Sequence, residues 1–197
     1  MQILLKNILK EVEDNNPLQV QIYCDMDGVL VNMDEGFKKI SGGFTPKNFK
    51  DSPEFGGDTK KAQKRFWQLI NSTPNFWINL EPMPDAKLLW DYLNDNFKSP
   101  RPVILSAGQG AKVVQEKTAW IRTHIDPTVK VMIAQSGVKK PEYVVATPGR
   151  TTHILIDDTD KNITAWDNVS QHRIGILHKN TAVTIPQLKE FLGNQQP

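Results

Sequence analysis

Five short, nearly continuous apolar runs punctuate the chain, at Val20–Asp25, Pro102–Ser106, Lys130–Ala134, His153–Asp157 and Arg173–Leu177. They are rich in Val and Ile. Continuous rather than alternating hydrophobicity marks strands covered on both faces, as in a parallel sheet. Helical periodicity separates the later runs, over Gly110–His124, Asn162–Asn168 and Ile185–Phe191. Alternating strands and helices predict an α/β, doubly wound core. The stretch from Asn32 to Pro100 breaks this rhythm. It shows helical patterns near Asp34–Ile40, Thr59–Ile70 and Asp85–Phe97, separated by loops rich in Gly and Pro. It is too long and too structured for a crossover, and is read as a mainly helical subdomain inserted after the first strand. The expected division is a core from residues 1–31 and 101–197 with an insertion over 32–100. The spacing of Ile3, Leu4, Ile8, Leu9 and Val12 predicts a short amphipathic helix over Met1–Asp14 rather than a signal peptide, since no small-residue cleavage site follows.

Composition narrows the function classes. A chain of 197 residues suits one domain, or a domain carrying an inserted subdomain. The net charge of +2 comes from mixed charges, and the isoelectric point near 8.6 falls short of a strongly basic footprint. No long nucleic-acid partner is therefore expected. No apolar run approaches the ~18 residues of a membrane span. The one cysteine, Cys24, excludes an internal disulfide and fits a reducing, cytoplasmic setting. It lies in an apolar strand and is read as a packed core thiol.

The candidate chemistry begins where the first strand ends, at Asp25-Met26-Asp27-Gly28-Val29-Leu30. Residues i and i+2 of a strand point the same way, so Asp25 and Asp27 can converge on one spot. Gly28 permits the turn away from the sheet. Carboxylates aimed at one spot repel unless a cation or proton lies between them. An Asp-x-Asp-Gly run also occurs in ordinary turns, and the apolar Val29-Leu30-Val31 rules out a calcium loop. Later strand ends repeat the theme. Ser106-Ala107-Gly108 offers a hydroxyl and turn amides for an anion. Gly137-Val138-Lys139-Lys140-Pro141 offers a lysine. Ile154-Leu155-Ile156-Asp157-Asp158 offers paired acids, with Asn162 four residues on. Hard oxygen ligands without a His or Cys cluster favour Mg²⁺. A carboxylate nucleophile with a second carboxylate as acid/base can carry phosphoryl transfer.

In this order the motifs resemble those of haloacid dehalogenase (HAD) superfamily phosphohydrolases. Asp25–Leu30 is similar to the first motif, Ser106 to the second, Lys140 or Lys139 to the third, and Asp157-Asp158 to the fourth. The resemblance implies a Rossmann-like core with a mainly parallel sheet, the insertion being a helical cap of the C1 type. A narrower resemblance is to the 5'(3')-deoxyribonucleotidase branch, including its phage-like members. Phe76 to Ala86, Lys117-Thr118-Ala119-Trp120-Ile121 and Gly175-Ile176-Leu177-His178 carry it. It implies a phosphoric monoester hydrolase using Mg²⁺ on a nucleoside monophosphate. Asp25 would form the aspartyl-phosphate and Asp27 would act as acid and base. Asp25, the Asp27 carbonyl and an acid of the Asp157-Asp158 pair would hold Mg²⁺, with Asp157 favoured. Ser106, with the Ala107 and Gly108 amides, would hold phosphate oxygens. Lys140, preferred to Lys139, would offset charge.

The aromatics Phe66, Trp67, Phe76 and Trp77 read first as core, the functional alternative being that one or two of them, Phe76 and Trp77 among them, stack on a nucleobase. His124 and His178 read as structural. Two other functions stay open: a HAD phosphatase acting on a nucleic-acid end or sugar phosphate, and a non-catalytic binding protein of the same fold. Retention of the paired acids argues against the last.

Overall fold

The computed structural model describes residues 19–135, 138–144 and 151–193. The predicted N-terminal helix over Met1–Asp14 and the Gly137 turn lie outside these residues. Five strands form one parallel sheet: β1 (Gln19–Cys24), β2 (Val103–Gly108), β3 (Lys130–Gln135), β4 (Thr151–Asp157) and β5 (Arg173–Leu177). Their spatial order is β3-β2-β1-β4-β5. All five match the apolar runs of the sequence, and β4 is buried along its whole length. The doubly wound α/β class is thus the observed one.

Between β1 and β2 the chain carries α1 (Met33–Ser41), two short 3₁₀ turns, α2 (Thr59–Ser72) and α3 (Ala86–Asn96). After β2 come α4 (Ala111–His124), α5 (Lys140–Tyr143), α6 (Asp160–Asp167) and α7 (Thr181–Gly193). Local signals explain several boundaries. The Asn32 side chain accepts the Glu35 amide at the start of α1, and Asp58 accepts those of Lys60 and Lys61 at the start of α2. Gly42, in the left-handed region, closes α1. Helices α1 and α2 pack on each other, whereas α3 packs on α7.

Strand alternation divides the core between the two sheet faces. Ile22, Cys24, Ile104, Ile154 and Ile156 join one cluster with Trp120 and Ile121 of α4. Tyr23, Val103, Leu105 and Leu155 join the other with Val144 and Trp166. Register aligns the strand ends. Cys24 pairs with Ile104 on one side and Ile156 on the other, and the Asp25 amide donates to the Ile156 carbonyl at 2.9 Å. The residues that follow β1 and β4 therefore emerge together at the carboxyl edge, where open α/β sheets bind ligands.

The insertion is clasped where it leaves and rejoins the core. The Asn32 amide donates to the Glu81 carbonyl at 2.8 Å, and the Met83 amide donates to the Leu30 carbonyl at 2.8 Å. Trp120 adds a cross-link, its indole N–H donating to the Leu80 carbonyl at 2.7 Å. Trp120→Ala is expected to lower stability by about 3–5 kcal/mol through lost packing. Trp120→Phe should cost about 1–2 kcal/mol, chiefly the unpaired carbonyl. Urea denaturation reads both.

His153, in β4, is buried and meets the Tyr23 hydroxyl at 3.2 Å through Nδ1. Burial lowers its pKa, and the Arg173 and His172 charges lower it further. The folded state then binds fewer protons than the unfolded one. This contribution to stability is full above about pH 6.5 and is lost as pH falls through the lower folded value. His153→Gln should flatten that acid limb in pH-dependent melts.

Candidate active site

At the carboxyl edge the strand ends deliver acids from two sides. Asp25, Asp157 and Asp158 each present an oxygen atom, all within 4.8 Å of one another. Asp25 and Asp157 are buried, and Asp158 is partly so. Alternation continues past the strands and sets Asp157 on the side of Leu155 and Tyr23. From that side α5 supplies Lys140, buried, whose Nζ lies 2.8 Å from Asp25 Oδ1 and 2.5 Å from Asp157 Oδ2. The neighbouring Lys139 is exposed. Of the two lysines in the sequence motif, Lys140 is the one brought to the acids.

The two late acids have different surroundings. Asp157 Oδ1 accepts the Thr159 amide at 2.9 Å, and both its oxygens accept Asn162 Nδ2, at 3.1 and 3.0 Å. Asp158 accepts the Thr159 hydroxyl at 3.1 Å and faces Lys47 of the insertion at 3.5 Å. Gly28 fits closely beside it. At φ +76°, a Cβ on Gly28 would stand 2.5 Å from Asp158 Oδ2. Burial pushes the Asp25 carboxyl pKa up; Lys140 opposes this, and the Asp157 and Asp27 charges add to it. Burial and the Asp157 charge raise Asp158 as well, against Lys47. Lys140 is raised above the ordinary lysine value: burial works against its charge, but Asp25 and Asp157 outweigh it.

This donor set suits a hard divalent cation. It consists of carboxylate oxygens alone, gathered within 4.8 Å of one another, and burial with the neighbouring acids raises Asp25.

Asp27 and Ser106 meet a second lysine, which motif reading does not supply as a site residue. Lys117 of α4 is fully buried. Its Nζ donates to Asp27 Oδ2 at 2.5 Å, to Ser106 Oγ at 3.1 Å and to the Ala107 carbonyl at 2.7 Å. It also stands over the Trp77 ring, 4.0 Å from the centroid. Its signal in the sequence is a lysine inside an apolar stripe, since Val113, Lys117, Trp120 and Ile121 follow helical spacing on one face. A lysine in such a stripe is buried only when paired.

Ala107 and Gly108, expected as turn residues, still belong to β2, paired with Ala134 and Gln135 of β3. The strand runs on because Gly108 lacks a side chain. A Cβ there would meet Ile133 at 2.9 Å and Val113 at 3.0 Å. Phe76 and Trp77 are buried, packed edge to face, and Trp77 lies beneath Lys117. Of the other aromatics of the insertion, Phe66 and Trp67 are only partly buried. Phe49, Phe66 and Trp67 line a cavity of about 370 Å³ with Lys50 and Lys60. Beside the acids, a cavity of about 380 Å³ is lined by Gly28, Asn32, Lys47, Met83, Asp158 and His178.

Comparison with solved structures places this fold. The chain superposes on a protein described as a haloacid dehalogenase-like hydrolase from Burkholderia xenovorans with a TM-score of 0.52 and 17% identity, over 86% of each chain. A hydrolase from Streptococcus pneumoniae matches with a TM-score of 0.48 and 13% identity, over 88% of this chain and 97% of that one. A HAD hydrolase of family IA, variant 3, from Entamoeba histolytica matches at 0.42 and 13%, over 89% and 100%. No family model and no curated protein matches the sequence. The first of these likenesses shows that the chain has a HAD-like fold. Among the described residues, no helix is long and apolar enough to cross a membrane.

Lys140→Met should leave Asp25 and Asp157 buried without their cation and cost about 3–5 kcal/mol. Adding Asp25→Asn should recover part of that loss in urea melts. Gly28→Ala should cost about 1–2 kcal/mol through the left-handed backbone alone, with a further loss from the displaced Asp158 carboxylate.

Proposed function

We propose that this protein is a phosphomonoesterase that works through an aspartyl-phosphate on Asp25, with a nucleoside monophosphate as its substrate. The carrying observation is the separation of two carboxylates two residues apart. Asp25 sits in the acid cluster with Lys140, whereas Asp27 accepts from Lys117, which also donates to Ser106, and keeps a buried oxygen, Oδ1, without a hydrogen-bond partner among the described residues. One acid is set up to attack and the other to move a proton.

In the first step an Asp25 oxygen attacks phosphorus, the bond to the leaving oxygen breaks, and that oxygen takes a proton from Asp27. In the second step water attacks the aspartyl-phosphate and gives its proton to Asp27. The Asp25–phosphorus linkage breaks, releasing inorganic phosphate. Ser106 donates to a phosphoryl oxygen, and Lys140 offsets the charge held between Asp25 and Asp157. Mg²⁺, held by Asp25, the Asp27 carbonyl and the Asp157-Asp158 pair, would neutralise charge on the phosphoryl group when bound. The nucleotide reading rests on the sequence resemblance over Phe76–Ala86 and on the cavity lined by the partly exposed Phe66 and Trp67, residue types that stack on a base. The insertion over residues 32–100 would then carry a substrate-selecting cap. Burial of Phe76 and Trp77 favours assigning stacking to Phe66 and Trp67 instead.

Phosphate release from 5'- and 3'-nucleoside monophosphates, sugar phosphates and an aryl phosphate tests this. Selective nucleotide turnover is expected. Aryl phosphate turnover alone would discard the nucleotide and keep the mechanism. Asp25→Asn should reduce kcat by about a thousandfold or more. Chelation of divalent cations should stop turnover and added Mg²⁺ restore it; full activity in chelator would overturn the metal assignment.

A further inference from the structure

We infer that Lys117 is a positioning residue that sets which oxygen of Asp27 moves the proton and which way the Ser106 hydroxyl points. The inference rests on the phosphomonoesterase reading above. An ammonium has three donors and no acceptor, and Lys117 Nζ spends all three within the site, on Asp27 Oδ2, Ser106 Oγ and the Ala107 carbonyl. It therefore has none left for a phosphate oxygen without breaking one of these bonds.

Two consequences follow from donor and acceptor counting. Asp27 Oδ2 is held, so Oδ1, which is buried and unpartnered among the described residues, is the oxygen free to give and take a proton. Ser106 Oγ can only accept from Lys117, so its own hydrogen is left for another acceptor, which the proposed function makes a phosphoryl oxygen. Both effects are orientational, and both are fixed by one fully buried atom.

Lys117 is itself held from several directions. Its stem is buried within α4. The Trp77 ring closes one side of the ammonium, and the Trp77 amide donates to Glu116 Oε2 of the same helix at 3.3 Å. The segment that rejoins the core from the insertion is thereby tied to the residue that orients the proton-transferring acid. Trp77 belongs to this support rather than to an open stacking surface.

The test compares two esters in Lys117→Met, Asp27→Asn and the double variant, using kcat/KM, which reports the attack on phosphorus. A nucleoside 5'-monophosphate has an alkoxide leaving group that needs a proton; p-nitrophenyl phosphate has one that does not. Lys117→Met is expected to lose at least about 10-fold more on the nucleotide than on the aryl ester, as Asp27→Asn does. On the nucleotide the double variant is expected to lose clearly less than the product of the two single losses, the excess over Asp27→Asn being the share that acts through Ser106. It also lacks the buried unpaired carboxylate that threatens folding of the single lysine variant, and thermal melts check all three. Equal losses on both esters, or additive losses in the double variant, would overturn this role alone. Wild-type inactivity toward both esters would overturn the functional reading and this role with it.

Discussion

Like-charge repulsion at one edge of the sheet is the constraint around which this molecule is arranged. Asp25, Asp27, Asp157 and Asp158 leave adjacent strands at one level because the register of β1 and β4 brings their ends together. Ionised carboxylates in a protein interior cost several kcal/mol each unless paired. Two buried lysines answer this, one from each layer of helices. Lys140 reaches Asp25 and Asp157 from the Tyr23–Leu155 face, and Lys117 reaches Asp27 from the face of Trp120 and Ile121. The sheet edge is electrically tolerable only with both layers docked, so site and fold depend on the same contacts.

The same division separates two kinds of work. The Lys140 side gathers three carboxylates around one buried ammonium, where the proposed function sets a cation and the attack. The Lys117 side orders hydrogen bonds around a single carboxylate and a hydroxyl. Asp25 and Asp27 are two residues apart, yet they serve different neighbours because the chain leaves the sheet between them. The turn through Gly28, held by Met26 carbonyl bonds from Leu30 and Val31 at 2.9 Å, makes that divergence possible.

Strands and acids were legible in the sequence because their signal is local. A run such as His153-Ile154-Leu155-Ile156-Asp157 declares a buried strand with an acid at its end, and its neighbours add nothing to that reading. Lys117 was not legible as a site residue, because periodicity over Gly110–His124 predicts a helix and says nothing of what its buried face meets. The partner of α3 was hidden for the same reason: an amphipathic stripe requires a neighbour without naming α7. The end of β2 was misplaced by Ala107 and Gly108, small residues that read as a turn. Packing against Ile133 and Val113 makes smallness a requirement of the strand instead.

The clasp at the base of the insertion has an evolutionary consequence. Asn32 with Glu81, and Met83 with Leu30, close the inserted segment on itself where it meets the sheet. Closing a longer or shorter loop between fixed ends changes the entropic cost only logarithmically. The inserted segment can therefore change in length or exchange whole helices between Asn32 and Glu81, while the strand ends keep their spacing. The fold thereby lets the insertion and the strand ends vary at different rates.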